Sequence, residues 1–346
     1  MSRFFWIDFF MSIMEKRSLL GFGGVYLRGL AMGAADVVPG VSGGTIAFIT
    51  GIYEELLNTI KGVNLGTLKS LKQDGFAATW RKINGAFILS LFAGIFTSII
   101  TLASAISGIL EQEGQTGEKI ALWSFFFGLI IASIIYIAKQ VKKWSVKDIA
   151  GLIIGTAVAY YITVVGVSED SSSLLFLFIA GMIAISAMIL PGISGSFILV
   201  LLGAYQPIMG GLKNTIAALK VGDYGLMIVE GLPIAIVALG CLVGLLTFSR
   251  VLSWLFKSYE NITLATLTGF MVGSLNKIWP WKEVTSSRMN SSGLKVPVVT
   301  ENLSPASFEI MYEQDSFLIY AIIFAVLGFL LVFGLEYVGK KMSNEQ

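Results

Sequence analysis

The sequence predicts an all-α, polytopic membrane protein with two inverted structural repeats, each a re-entrant helical hairpin plus transmembrane helices. Of its 346 residues, 55% are hydrophobic and only 13% are charged. A soluble domain has about 25% charged residues, so composition alone indicates an integral membrane protein. A pattern of proline, glycine and serine occurs twice, and three apolar spans lie between its copies. An odd number of crossings places the second copy upside down relative to the first.

The repeated pattern is the stretch around which the chain is organised. It occurs at Ala34–Tyr53 and again at Leu190–Tyr205, with a constant offset of 152 residues. A repeat of this kind fixes the architecture and is interpreted before any other feature. The identical pairs are Pro39 and Pro191, Gly40 and Gly192, Ser42 and Ser194, Gly43 and Gly195, Gly51 and Gly203, and Tyr53 and Tyr205.

Each copy interrupts an apolar region at a Pro-Gly step. The first region comprises Gly21–Pro39 and Ser42–Val63, and the second comprises Leu174–Leu190 and Ser194–Leu212. A membrane crossing needs about 20 apolar residues. Two short segments that meet at Pro-Gly indicate a hairpin that enters the membrane and returns on the same side. Two ordinary, slightly short crossings are the alternative, and both leave the downstream topology unchanged.

Six further apolar segments predict full crossings. The predicted domains are a single membrane domain (1–346), repeat one (20–141), repeat two (174–279) and an extracytoplasmic loop (282–315), with the third and sixth crossings outside the repeats. A polar loop is expected at Gly62–Lys82 and a long polar excursion at Lys282–Asp315. The six crossings are Ile83–Leu110, Ile120–Ala138, Ile149–Val165, Gly225–Ser249, Ile262–Ile278 and Phe317–Val338.

Lysine and arginine in the short connections predict the orientation. Basic residues concentrate at Gly62–Lys82 and Lys139–Lys147, whereas Glu111–Glu118 and Ser168–Ser173 are acidic. The positive-inside rule therefore places both termini in the cytoplasm. The first 17 residues have aromatic and apolar side chains at helical spacing, which predicts an amphipathic helix in the membrane interface.

The residues after each Pro-Gly step are typical of an anion site. A broken helix at membrane depth leaves backbone groups without water, so such breaks persist only where they line a cavity or lie inside protein. In transporters, paired breaks form the substrate site near the midplane. Helix starts with glycine and hydroxyl residues suit a phosphate. The alternative is N-caps and packing glycines. The candidate substrate-binding residues are Arg28, Pro39, Gly40, Ser42, Gly43, Gly44, Thr45, Ser194, Gly195 and Ser196.

Charged residues in or beside apolar segments are functional candidates. Arg28 either reaches a phosphate or extends to the cytoplasmic interface, and the sequence leaves both open. Asp36, Glu54 and Glu230 are candidates for proton coupling. Asp36 lies three residues before Pro39 and is therefore expected deep in the membrane.

Composition also excludes several classes of site. The chain has no histidine and one cysteine, Cys241, so intrachain disulfides and the usual zinc ligands are ruled out and no metal or cofactor is expected. The net charge of +2 comes with no basic stripe, so nucleic acid is not expected as a partner.

Two motifs resemble a known family of bacterial membrane proteins, the polyprenyl-phosphate transporters. They are G-x-x-x-x-V-P-G-V-S-G-G-T with a following G-I-Y-E-E-L, and G-S-L-N-K-I-W-P-W-K at Gly273–Lys282. The resemblance covers nearly the whole chain. The residues carried over as matches to the first motif are Asp36, Pro39, Gly40, Ser42, Gly43, Gly44, Thr45 and Glu54, and those to the second are Trp279 and Pro280.

The resemblance implies translocation of undecaprenyl phosphate, the C55 carrier lipid of cell-wall synthesis, from the outer to the inner leaflet of the cytoplasmic membrane. Other membrane lipids are the only further partners expected. Where the first hairpin has Gly44 and Thr45, the second has Ser196 and Phe197, which makes it the poorer phosphate cradle. A small-anion channel or transporter would share the paired hairpins. An intramembrane lipid phosphatase is the enzymatic alternative, disfavoured by the missing histidine and the lack of an acidic metal cluster.

Overall fold

The computed structural model describes residues 17–37, 42–110, 114–165, 173–289 and 295–344. About 80% of it is helical, which confirms a mostly helical, multi-pass membrane protein. The predicted N-terminal interfacial helix, apart from its last residue, lies outside the described residues, and so do Pro39 and Gly40.

Fifteen helices and two strands make up the described chain. The helices before the second Pro-Gly step are α1 (Leu19–Val37), α2 (Gly43–Ile49), α3 (Tyr53–Gly62), α4 (Leu65–Gln73), α5 (Gly75–Lys82), α6 (Gly85–Leu110), α7 (Gly117–Ala138), α8 (Val146–Val164) and α9 (Leu174–Ile189). The elements after it are α10 (Gly195–Leu201), α11 (Tyr205–Val221), α12 (Tyr224–Ser258), α13 (Glu260–Ser274), β1 (Lys282–Met289), β2 (Lys295–Asn302), α14 (Pro305–Tyr312) and α15 (Leu318–Asn344).

Two segments expected to be polar connections contain helices and strands that the sequence analysis did not assign. The Gly62–Lys82 segment forms α4 and α5, and Asn64 starts α4 with a capping box that satisfies its first amides. The Lys282–Asp315 segment contains the antiparallel pair β1–β2 and the helix α14. The eight residues of β2 include three valines and a threonine, which favour extended structure, so the protein is not purely helical.

Within the described residues, four helices are long and apolar enough to cross a membrane: α6, α7, α8 and α12. The other two predicted crossings correspond to α13 and α15. Helix α13 has 15 residues, or about 22 Å at 1.5 Å per residue. Helix α15 has an apolar stretch at Leu318–Gly334. Helix α12 has 35 residues and continues past the predicted end at Ser249 to Ser258.

The long helices pack in four pairs, α1 with α6, α9 with α12, α7 with α15 and α8 with α13. Each pair crosses where a glycine of one helix meets a backbone carbonyl of the other, because a Cβ at that position would overlap the carbonyl oxygen. Small residues permit this close approach, which is a main source of packing energy between helices in lipid. The glycine–carbonyl pairs are Gly29 with Leu91, Gly240 with Phe178, Gly128 with Ala325, and Gly155 with Thr266.

Helix α7 defines the two ends of the molecule. Just before α7 begins, the Gln115 side chain donates to the Lys282 carbonyl at 3.0 Å, and we call this the β-ribbon end. Just after α7 finishes, Lys142 pairs with Glu260 at 3.0 Å, and we call this the far end. The 22 residues of α7 separate the two ends by about 33 Å.

The two interrupted regions approach the interior from opposite ends. Helix α1 runs parallel to α6, which starts at the far end, since Gly29 and Gly33 face Leu91 and Ile95 in the same order. Helix α9 runs parallel to α12, which starts toward the β-ribbon end and finishes beside Glu260. The ends of α1 and α9 therefore converge in the middle of the protein, where α2 contacts both α9 and α7.

Candidate functional site

The two helix breaks meet in the protein interior and are joined by hydrogen bonds. The Ser42 hydroxyl donates to the Met188 carbonyl at 3.0 Å, and the Tyr53 hydroxyl donates to the Ile189 carbonyl at 2.9 Å. In the opposite direction, the Gly192 amide donates to the Thr45 hydroxyl at 3.0 Å. We call this set the break junction: Ser42, Thr45, Tyr53, Met188, Ile189 and Gly192.

The break junction is closed to water on the side of the first break. Ser42 and Thr45 are 1% and 0% exposed, and Tyr53 is 3% exposed. Backbone groups freed by a helix break need new partners when water is excluded. Hydroxyl groups from the first break supply those partners to the second break, so each interruption stabilises the other.

Glycine at position 44 makes this docking sterically feasible. A Cβ there would lie 2.8 Å from the Ile189 carbonyl oxygen, closer than real Cβ atoms come to such an atom. At position 192 the backbone has φ of +86°, a conformation that glycine adopts readily. Gly44 therefore permits the close approach of the two breaks, and Gly192 permits the chain to reverse direction.

The first amides of α2 are occupied by acceptors of the protein itself. The Gly43 amide donates to the Asp36 carboxylate at 2.7 Å, and the Gly44 amide donates to the Ser42 hydroxyl at 3.1 Å. A side chain at position 43 would collide with Asp36, whose Oδ2 would lie 2.6 Å from an added Cβ. The carboxyl group of Asp36 thus lies where the sequence predicts a bound anion, and Ser42 acts as the N-cap foreseen in the alternative interpretation.

The corresponding residues of the second break have a different arrangement. The Ser194 and Ser196 hydroxyls lie 3.0 Å apart, and no side chain caps α10. Ser194 is buried, whereas Ser196 is exposed. Gly195 packs against the Ala184 carbonyl of α9, which holds α10 back against the helix before it.

Arg28 lies away from the break junction, in a charged cluster toward the far end. The Arg17 guanidinium forms two hydrogen bonds to the Glu55 carboxylate, at 3.2 and 2.7 Å, and Asn84 donates to the same carboxylate at 2.9 Å. Arg28 is half-buried and interacts electrostatically with Arg17 and Glu55. Eight helical residues separate Arg28 from Asp36, or about 12 Å along the axis.

Comparison with known proteins decides the family. A family model described as undecaprenyl phosphate translocase-like matches residues 32–296. A polyprenyl-phosphate transporter of Vibrio cholerae is 48% identical over 317 residues, covering 91% of this chain and 96% of that protein. A polyprenyl-phosphate transporter of Staphylococcus aureus is 31% identical over 267 residues, covering 73% of this chain and 85% of that protein. No solved structure matches.

This chain belongs to the polyprenyl-phosphate transporter family. The resemblance expected from the two motifs is therefore confirmed. The family match includes the break junction and the aromatic motif, and it begins at residue 32, after Arg28.

The structure separates the three acidic residues that the sequence nominates for proton coupling. In this member of the family, the Asp36 carboxylate accepts a hydrogen bond from the Gly43 amide beside the break junction. Glu54 is exposed, and its neighbour Glu55 takes the ion pair with Arg17. Glu230 accepts a hydrogen bond from Asn214 at 3.0 Å, on the exposed surface of α11 and α12. Among the described contacts of these three carboxylates, the hydrogen bond of Asp36 to Gly43 is the one that reaches a break.

Two lysines of the aromatic motif form a cluster that sequence reasoning missed. The Lys277 ammonium lies 4.5 Å from the centre of the Phe197 ring, immediately after Ser196. The Lys282 ammonium lies 3.8 Å from the centre of the Trp123 ring and donates to the Lys277 carbonyl. The sequence feature that could have revealed this cluster is the presence of two lysines in the tryptophan-containing motif Gly273–Lys282.

Burial lowers the pKa of Lys282 in this family member. For Lys282, desolvation lowers the pKa well below the usual value, and the nearby Lys277 charge lowers it further. The tryptophans of the motif have structural roles, since the Trp279 and Trp281 ring N–H groups each donate at 2.8 Å, to the carbonyls of Leu303 and Ser316.

Proposed function

We propose that this protein transports undecaprenyl phosphate from the outer to the inner leaflet of the bacterial cytoplasmic membrane, so that the carrier lipid is used again. The names of the relatives support a polyprenyl phosphate as the substrate. The observation that carries the proposal is the hydrogen-bonded docking of two helix breaks in the interior of a membrane protein. Breaks at membrane depth are tolerated where they line a substrate path.

The proposed architecture is one membrane domain with two inverted repeats, 20–141 and 174–279, whose hairpins are re-entrant. The opposite approach of α1 and α9 supports it. Gly29 and Gly181 also support it, because they differ by the repeat offset of 152 and both pack against a backbone carbonyl of the neighbouring long helix. Both termini are then cytoplasmic, and the segment 282–315 is extracytoplasmic.

The protein has to shelter only the phosphate. A charged group is very costly in hydrocarbon, whose thickness is about 30 Å, while a polyprenyl tail can remain in lipid. We place the phosphate path through the region where the breaks meet, with the tail trailing through a lateral opening. The residues proposed to contact the phosphate along this path are Arg28, Pro39, Gly40, Ser42, Gly43, Gly44, Thr45, Ser194, Gly195 and Ser196.

Asp36 is the proposed proton-coupling residue, in preference to Glu54 and Glu230. Its ionised carboxylate accepts the Gly43 amide hydrogen bond that a phosphate would need. Protonation removes the charge and weakens that hydrogen bond, since charged acceptors bind about twice as strongly as neutral ones. A proton on Asp36 therefore frees the Gly43 amide for the phosphate, which links headgroup passage to proton entry.

The test is reconstitution in vesicles that contain undecaprenyl phosphate, with the outer-leaflet fraction measured by a membrane-impermeant phosphatase. Purified wild-type protein is expected to change that fraction, and an imposed pH gradient to change the rate. Asp36→Asn is expected to remove the effect of the gradient, and Glu54→Gln is the matched control that keeps it. Unchanged leaflet distribution with wild-type protein would refute the proposal.

Two additional measurements distinguish a lipid transporter from a small-anion transporter and from a lipid phosphatase. Uptake of inorganic phosphate without lipid movement would favour a small-anion transporter. Release of phosphate from the lipid by the purified protein alone would favour a phosphatase. A transporter, which is not an enzyme, is expected to give neither.

A further inference from the structure

We propose that Lys277 is a headgroup-binding residue at the β-ribbon end, where it receives the phosphate before the headgroup reaches the break junction. This inference rests on the proposed function and adds a binding site to it. The site consists of the side chains of Lys277 and Lys282 with the ring of Phe197, which directly follows Ser196 in the chain.

The two lysines form a cluster of basic side chains. In the described part of the protein, neither of their amino groups has a carboxylate within ion-pairing distance. Glu283 follows Lys282 directly; burial and, after it, the Glu283 charge raise the pKa of the nearby Tyr312 hydroxyl. Two neighbouring cations out of water are unfavourable unless an anion joins them. A phosphate monoester supplies that anion.

Lys282 and Lys277 have different roles in the cluster. Lys282 is 5% exposed, and its ammonium group is held by the Trp123 ring and the Lys277 carbonyl. Lys282 is therefore fixed within the protein and has little freedom to contact a second ligand. Lys277 is half-buried, and the contact recorded for its ammonium group is the face of the Phe197 ring. A cation over an aromatic face keeps its N–H donors available for a second ligand.

The location fits loading from one leaflet. Lys277 follows the last residues of α13, next to Asn276, whose side chain donates to Thr163 at the end of α8 at 2.7 Å. Phe197 belongs to α10, so the Lys277–Phe197 contact connects this end of the molecule to the second break. The charged cluster of Arg17, Arg28 and Glu55 lies on the other side of the break junction, toward the far end. The phosphate therefore meets cations at both ends of the path.

The experiment measures binding of undecaprenyl phosphate and of undecaprenol, which lacks the phosphate, to purified protein in detergent by thermophoresis. Lys277→Gln is expected to weaken undecaprenyl phosphate binding about ten-fold or more, as the loss of one charged hydrogen bond predicts, and to leave undecaprenol binding unchanged. Lys277→Arg retains the charge and is expected to bind close to wild type. Lys220→Gln, an exposed lysine in the last turn of α11, is the matched control with the same change in charge.

A second measurement on the wild-type protein does not depend on the folding of any variant. Undecaprenyl phosphate is expected to slow acylation of Lys277 by an amine-reactive reagent, read by peptide mass spectrometry, while undecaprenol does not and Lys220 serves as the internal reference. Equal affinities of Lys277→Gln and Lys220→Gln for the phosphate lipid, or unprotected Lys277, would overturn the assignment. If wild type itself bound both lipids equally, the proposed function would fail, and this inference with it.

Discussion

The hydroxyl of Ser42 donates a hydrogen bond to the carbonyl of Met188, 146 residues away in the chain, at 3.0 Å. The same oxygen accepts the amide hydrogen of Gly44, so one side chain both caps α2 and anchors the end of α9. Hydrogen bonds in a water-excluded region are costly to break, because the separated groups find no replacement. The two halves of the protein are therefore coupled at the place where each helix is interrupted.

Ser42→Ala is expected to destabilise the protein by about 1–3 kcal/mol, the cost of a lost N-cap and a buried unsatisfied carbonyl. Thermal unfolding in detergent measures the change. Ser194→Ala is the matched control and is expected to cost less, because Ser194 does not cap α10 and interacts with Ser196. If both substitutions lowered stability equally, the hydrogen bonds of Ser42 would contribute no more to stability than those of Ser194.

Gly44→Ala is expected to abolish lipid movement in vesicles, because its Cβ would lie 2.8 Å from the Ile189 carbonyl oxygen and force the breaks apart. Gly23→Ala provides the control within the same repeat, since a Cβ at Gly23 meets no atom within 4 Å. Alanine at an exposed helical site also stabilises the helix slightly relative to glycine. Full transport by Gly44→Ala would show that the close approach is dispensable.

Lys282→Met tests the buried ammonium through the pH dependence of stability. The pKa of Lys282 is well below its usual value of 10.5 in the folded protein, so the unfolded state binds the proton more tightly. Stability then rises with pH between the lowered pKa and 10.5. The stability of wild type relative to Lys282→Met is expected to increase over that range in thermal unfolding. A pH-independent difference would show that Lys282 is not desolvated.

Arg28→Gln separates the two roles left open for this residue. If Arg28 contacts the headgroup at the far end, as proposed, the substitution reduces the transport rate in vesicles, and Arg28→Lys restores part of it. A side chain that only extends to the membrane surface would give variants with wild-type rates. Unfolding temperatures of both variants check that a lower rate does not result from loss of the fold.

The sequence by itself determined the membrane class, the positions of the helix breaks and the internal repeat. These properties follow from composition and from residue order along the chain. It also identified the family through two motifs. It did not anticipate α4, α5 or the β1–β2 pair, because propensities in polar segments are weak compared with tertiary context.

Only the tertiary structure decided which groups form hydrogen bonds at the two helix breaks. Nothing in the local sequence around Ser42 specifies Met188 as its partner, and nothing around Asp36 distinguishes a free carboxylate from one bound to the Gly43 amide. The pairing of Lys277 with Phe197 likewise joins residues 80 positions apart. Such contacts depend on how glycine-lined helices cross, and crossing geometry arises from the packing of the whole chain.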